Sequence, residues 1–331
     1  MQGGGGLEPR GLIPVEVIGL DEGIVERVAR TLRNNPERIS TIDLCDTRFY
    51  PSCSEDVESV ARYFIVMVAM DHRLSRPGKP YEAELEDGVY RGAELLYRLG
   101  MRKYMEDPGF FNPEHLASIR VDEVEAWLSV GNAKPPDIEV RTLLLRDMGL
   151  KITRLFNGNV KDIIEASGGR LYGSLGDPGL IDLLRVFRAF EDPVEKKPLL
   201  LAKFLSRRGV ITLREKLGIP VDNHLSRIAY RLGIVMVSGS LWAKIRGHVE
   251  VTRSEDTLLR LIVRRGYEAV ADKAGLDPGV VDDYFWLMGR NTCLREGEPR
   301  CDKCLFKGFC KARRNSSFMV PEHHYYDTWY Y

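Results

Sequence analysis

The sequence has no long apolar run. No stretch of about 18 apolar residues occurs anywhere in its 331 residues, so a membrane-spanning helix is not expected. It also has no net charge: 48 Lys and Arg face 48 Asp and Glu. No overall field of one sign therefore draws in a polyanion, although a basic face can hide inside a neutral total. Internal repeats and low-complexity linkers are missing, which removes solenoid and disordered classes. Two-residue alternation is confined to VITL (210–213) and VEVT (249–252), which leaves little material for a sheet. The opening MQGGGGLEPRGLIP lacks a basic region followed by an apolar one. A secretory leader is not expected, and a reducing, cytoplasmic setting is. Cysteine is scarce as well, at six residues.

What is present is the helical period. GIVERVARTLRN (23–34) alternates at three and four, as an amphipathic helix does. EDVESVARYFIVMVAMDHRL (55–74) predicts a long, largely buried helix. Further helices are predicted over 88–105, in one or two pieces over 115–129, and from the Pro-Pro-Asp start near 137. NVKDIIEAS stops at Gly-Gly. LREKLG, NHLSRIAYRLG, DTLLRLIVRRGYEAVADKAG and GVVDDYFWLMGR continue the pattern, and KPLLLAKFL is ambiguous. The fold class is mainly α, with about a dozen helices.

Charge is unevenly spread. YEAELEDG is an acidic run, whereas KK, RR, RIAYR and KARR cluster after Glu195. A basic face is one reading of this, and a charge-balanced, heat-adapted surface is the other. Asp71 and His72 end the apolar helix. They form either a pocket wall or the polar end of a helix that emerges before Pro77. Phe49, Tyr50 and Trp242 could stack on a base or belong to the core. His323 and His324 have no third ligand nearby and are not read as a metal site.

Four of the six cysteines fall in CLREGEPRCDKCLFKGFC, as Cys293, Cys301, Cys304 and Cys310. In a reducing compartment such a group binds metal more readily than it forms disulfides. Four thiolates saturate one tetrahedral zinc or one [4Fe–4S] cluster. A single Cys-x2-Cys pair flanked by lone cysteines in a tight loop suits the cluster better. Cys45 and Cys53 are read as small buried or half-buried thiols.

GIPVDNHLSRIAYRLG is the second informative stretch. Pro220 disfavours helix in the residue before it, and Asp222 stands where an N-cap belongs, ahead of Leu225, Ile228, Ala229 and Leu232. From the residues alone, Asp222 is a cap.

The run VDDYFWLMGRNTC into the cysteine loop resembles the C-terminal end of endonuclease III and its relatives. Trp286, Leu287, Gly289, Arg290, Thr292 and Cys293 carry the likeness, and the first gap has seven residues where that family has six. Pro220-Val221-Asp222-x-His224 is similar to the catalytic segment of the helix-hairpin-helix glycosylases, which include endonuclease III. The resemblance implies two helical subdomains and a C-terminal [4Fe–4S] loop on the four cysteines. It implies an Asp222 that stabilises the cationic sugar as the base departs. It also implies a hairpin over 181–206 and a Schiff-base lysine, with Lys197 the better positional match and Lys196 next. The hairpin turn, Asp192-Pro193-Val194-Glu195-Lys196-Lys197, has no glycine where the family's turn uses glycines to cradle a phosphate. Asp71, His72, Lys196 and Arg227 are the candidate substrate-binding set. Arg295, Lys303 and Lys307 on the cluster loop could meet phosphates.

On this basis the chain divides into an N-terminal segment (1–54) whose helix packs on the C-terminal lobe, a glycosylase core (55–235), C-terminal helices with the cluster loop (236–314), and an aromatic tail (315–331). The implied function is excision of a damaged, flipped base from duplex DNA by a monomer, with or without lyase activity. A more diffuse likeness, in EASGGRLYGSLGDPGLIDLLRVFRAFED and around Glu139 and Arg141, is to queuosine-salvage nucleoside glycosylases. It keeps the N-glycosidic bond but makes a modified nucleoside the substrate. A third reading is a non-catalytic iron–sulfur protein that binds nucleic acid.

Overall fold

The computed structural model describes residues 17–76 and 78–331, so expectations about residues 1–16 and Pro77 lie outside it. Among the described residues, fourteen α-helices and two two-stranded sheets build a mainly α protein. Among the described residues no helix is long and apolar enough to cross a membrane.

Local chemistry sets the helix starts. Asp21 accepts from the Ile24 amide at 3.1 Å and begins Glu22–Arg33. Asp56 accepts from Ser59 at 3.0 Å and begins Val57–Met70. Thr252 and Glu255 form a reciprocal capping box at the head of Arg253–Ala274. Each such oxygen satisfies an amide that the helix itself leaves unpaired.

Burial divides these elements between two apolar cores. The first runs from Leu44 to Ile211 around Val57–Met70, whose residues from Tyr63 to Met70 are all buried. A helix apolar all round belongs in a core, and this one is the axis of its lobe. The second core joins Ile24–Leu32 to residues from Ile219 to Val320, with Glu22–Arg33 lying along Arg253–Ala274. The chain therefore crosses between lobes just before Asp222. The helix Asn223–Leu232 packs on Pro278–Asn291 and Arg253–Ala274 in the second lobe.

Several expectations are corrected. VITL and VEVT form no strands. The strands are Ile18–Leu20 with Val235–Val237, and Glu82–Leu85 with Gly88–Arg91. The acidic run is thus a hairpin in which Glu82 and Glu84 face water while Tyr81, Ala83 and Leu85 turn inward, a two-residue alternation that its charge obscured. LREKLG is not helical, whereas Gly239–Gly247 is. The first limb of the 181–206 hairpin is only Leu180–Leu184 followed by a single 3-10 turn, Arg188–Phe190, and the second limb is Lys196–Arg207. Cys45 and Cys53 are exposed and joined as a disulfide, with Cα atoms 5.3 Å apart, rather than being buried thiols. The pairing closes an eight-residue separation in the loop ahead of Val57–Met70.

Candidate active site

A cleft of about 600 Å³ lies between the lobes, within the range that holds a nucleoside-sized ligand. It is lined by the turn from Asp71 that follows Val57–Met70, the start of Lys196–Arg207, the start of Asn223–Leu232, the face of Pro278–Asn291 that carries Trp286 and Leu287, and the tail from Glu322. Parts of the loop 42–50, of the 81–97 region and of the cysteine loop at 294–296 complete the lining.

Asp222 is the N-cap that the sequence predicts. Its Oδ1 accepts from the Leu225 amide at 2.9 Å and its carbonyl accepts from Ser226. It also lines the cleft, half-buried. Burial pushes its carboxyl above the usual range, with nearby Asp71 adding to this, while the Leu225 amide, Lys196 and Arg227 pull it down. The cap role and the site role are thus both available to one side chain.

The two candidate lysines separate. Lys196 lines the cleft, where its Nζ donates to the Asp71 carbonyl at 2.9 Å and pairs with Asp71 Oδ2 at 3.2 Å. Lys197 is fully buried and does not line the cleft. Its Nζ stands 2.6 Å from the Ala69 carbonyl and 3.1 Å from His72 Nδ1. Burial, with Lys196 and Arg141 close by, holds the Lys197 ammonium well below its usual pKa.

Asp71 and His72 cap the buried helix instead of emerging into water, and His72 is only 3% exposed. Arg141 holds this turn. Its buried guanidinium donates to the carbonyls of Met70, His72, Arg73 and Pro136 at 2.6–2.9 Å. Three carbonyls at the end of that helix, and one just ahead of Ile138–Leu155, are thereby satisfied by one side chain.

Arg227 lies at the cleft, but its donors are engaged within the chain. They reach the carbonyls of Gly289 and Cys293, His224 Nδ1 and Glu322. It ties the Asp222 helix to the start of the cysteine loop and to the tail. His224, absent from the candidate set, also lines the cleft. Burial and then Arg227, Arg290 and Arg295 hold its imidazole neutral. A Cβ on Gly289 would lie 2.8 Å from His224 Cβ, so a glycine is required at that crossing.

Sequence reasoning also missed Lys203 and Asp282. Burial pushes Asp282 up to about 6 even though Lys203 pairs with it. Burial opposes the Lys203 charge, but Asp282 and Asp283 outweigh it and raise its pKa. The tail is a wall of the cleft rather than a surface covering. Glu322 pairs with Arg227 and Arg295, His323 Nε2 with Asp256, and the Tyr331 hydroxyl with Asp256. Phe49 and Tyr50 line the cleft, whereas Trp242 packs on Tyr230 and Phe318.

The hairpin turn's amides are taken up by its own carboxylate. Asp192 accepts from the Val194 and Lys196 amides at 3.0 and 2.8 Å. It is buried and bridged by both terminal nitrogens of Arg260 at 2.9 and 2.7 Å. Glu195 takes the left-handed conformation, φ 61°, in place of a glycine. Asp192→Ala should cost about 3–5 kcal/mol, because both terminal nitrogens of a buried guanidinium lose their carboxylate and only the Nε contact with Asp256, 3.2 Å, remains. Urea unfolding checks this, and a loss under about 1 kcal/mol would contradict it.

The four loop cysteines are free, half-buried, and line one small cavity with Arg231, Met288 and Thr292. Arg231 Nη1 lies 3.4 Å from Cys293 Sγ. Burial pushes the Cys304 thiol up to about 11, and the other three cysteines add to this. Ionised together, the four sulfurs would need a cationic partner. Among the described residues no three His, Cys, Asp or Glu side chains converge on a single ion position. What speaks for a bound group is therefore the donor set and the cavity it lines. Of the loop cations, Arg295 is paired with Glu322, while Lys303 and Lys307 are exposed.

No family model matches the chain. A search of curated proteins finds an endonuclease III homologue of Encephalitozoon cuniculi (strain GB-M1), 24% identical over 169 residues. The match spans 50% of this chain and 61% of that protein. This chain resembles endonuclease III. Among solved structures, an endonuclease III–DNA covalent intermediate trapped as an estranged-adenine complex overlaps it with a TM-score of 0.47. The overlap is at 12% identity and covers 89% of this chain and 97% of that one. A non-covalent endonuclease III–DNA complex overlaps with a TM-score of 0.43 at 13% identity, with the same coverage.

Proposed function

We propose that the chain is an N-glycosylase that excises a damaged base from duplex DNA, with Asp222 and Lys196 as its reacting groups. The observation that carries this is a half-buried carboxylate at a helix start, facing a nucleoside-sized cleft with a lysine across from it. The C1′–N bond breaks and its electron pair leaves with the base. Asp222 stabilises the sugar cation through a charge held in place before the reaction begins. Water then adds at C1′ or, in a lyase, Lys196 does so with loss of a proton, and opening of the sugar ring gives the Schiff base. The target base must leave the helical stack to reach the cleft. We place the protein in the cytoplasm as a monomer.

Cys293, Cys301, Cys304 and Cys310 would hold a [4Fe–4S] cluster, which supplies a cross-link for the C-terminal loop and leaves no open position for substrate. Protein purified without oxygen should be brown, with a broad band near about 400 nm and about four irons per chain. Colourless protein carrying one zinc would overturn this.

The second reading, a salvage glycosylase for a modified nucleoside, is favoured by the hairpin turn, whose amides Asp192 already occupies. One experiment separates the two. The protein is incubated with a panel of damaged-base duplexes and, in parallel, with modified nucleosides including queuosine, at several salt concentrations. Base release from duplexes with affinity that falls steeply as salt rises supports DNA, because neutralised phosphates release counterions. Release from nucleosides alone supports salvage.

A further inference from the structure

We propose that His72 donates a hydrogen bond from Nε2 to the departing base, and that Lys197 is a positioning residue that fixes which ring nitrogen carries the proton. This rests on the N-glycosylase reading and adds to it the group that acts on the leaving side of the bond.

The argument begins with an unpaired atom. His72 lines the cleft, is buried, and its Nε2 has no hydrogen-bond partner among the described residues. A buried polar atom without a partner carries a desolvation cost of about 1–3 kcal/mol, and in a ligand cleft that atom is the one the ligand satisfies.

Its other ring nitrogen is engaged. Lys197 Nζ lies between the Ala69 carbonyl and His72 Nδ1, at 2.6 and 3.1 Å. A carbonyl only accepts, so Lys197 donates to Ala69; whether an ammonium or an amine, it keeps a further N–H for Nδ1, and Nδ1 is assigned as the acceptor of it. In a neutral imidazole the proton is then on Nε2, the unpaired atom of a side chain that lines the cleft. Burial and the surrounding Arg141, Lys197 and Lys196 favour the neutral ring. Arg141 locks the His72 and Arg73 carbonyls, so the ring is carried on a turn that cannot swing away.

The chemistry calls for such a donor. As the C1′–N bond breaks, the electron pair spreads onto the ring nitrogens and carbonyl oxygens of the base. An N–H aimed at one of those atoms stabilises the anion as it forms. The base takes its proton from water after it departs, and the sugar cation is captured by water or Lys196. Asp222 serves the cationic side and His72 the anionic side, with Lys196 paired to Asp71 between them. The ligand class that follows is a base with a ring carbonyl or ring-nitrogen acceptor. A buried lysine with a depressed pKa looks like a nucleophile, but here its nitrogen has no path to the cleft and acts through the imidazole.

The test uses the full chain with ¹⁵N-labelled histidine, the His72 signals being assigned by their loss in His72→Gln. The expected tautomer is Nε2–H in the wild type and in Lys196→Met, with mixed tautomers in Lys197→Met. Addition of free uracil or hypoxanthine should move the His72 Nε2 signal, and ribose should not. On a substrate that the wild type cleaves, His72→Phe should lower kcat on the order of a hundredfold with little change in KM. His72→Gln, which keeps a side-chain N–H, should recover much of that loss. An Nδ1–H tautomer in the wild type, a Nε2 signal unmoved by both bases, or an unchanged kcat in His72→Phe would each overturn the proposal. If the wild type releases no base from any duplex or nucleoside, the N-glycosylase reading fails, while the tautomer and base titrations still decide what His72 binds.

Discussion

Asp222→Asn should leave a folded protein that has lost on the order of a hundredfold or more of its base-release rate. The fold survives because asparagine caps a helix about as well as aspartate, and the bond to the Leu225 amide can persist. The rate falls because the charge facing the sugar cation is gone. Stability moves the other way. The folded carboxyl titrates above its unfolded value because burial disfavours its charge. A raised carboxyl pKa favours the folded state only below the unfolded pKa, and that contribution is lost as pH rises through the folded one. At neutral pH the ionised Asp222 is therefore a cost, and Asp222→Asn should melt no lower than the wild type. In the wild type, base release should fall as pH drops through the raised Asp222 pKa. Single-turnover release and thermal melts at matched pH check these three outcomes. An Asp222→Asn protein with full activity would remove the mechanism.

Lys196→Gln should abolish borohydride trapping of a covalent complex with DNA, whereas Lys197→Met should keep it. Of the two adjacent lysines, Lys196 lines the cleft, and Lys197 is enclosed by Ala69, His72 and its own helix. The change should also slow base release. Lys196 is one of the groups that lower the Asp222 pKa, so its loss leaves Asp222 less ionised at a given pH. The acid limb of the pH profile should move upward in Lys196→Gln. Trapping that survives in Lys196→Gln and vanishes in Lys197→Met would restore the assignment that positional matching gives. A protein that traps in neither form, yet releases base, would be monofunctional.

Much of this site is legible in the chain because its parts are local. A proline followed by Asp222 and a helical period marks a cap, and short-range bonds place it as read. The cysteine spacing marks a loop with four thiols, and the loop holds them free around one cavity. Helix periods locate Val57–Met70 and Arg253–Ala274 to within a few residues, since burial of one face or all faces leaves a pattern in the sequence.

What the sequence by itself determined was the helical class, the main helix starts, the cap at Asp222 and the grouping of the cysteines. All of these depend on residues near one another along the chain. Only the tertiary structure decided which lysine reaches the cleft, because adjacent residues on a helix point about 100° apart and the lobe interface chooses between them. It also decided that Asp192 fills its own turn with the help of Arg260, 68 residues away, and that the aromatic tail becomes a wall of the site. His72 is the clearest case. Its burial, its held ring and its unpaired nitrogen come from Arg141 and Lys197, whose contacts with it span 69 and 125 residues. Such long-range pairings follow from how the cores pack, and they leave no periodic trace in the sequence.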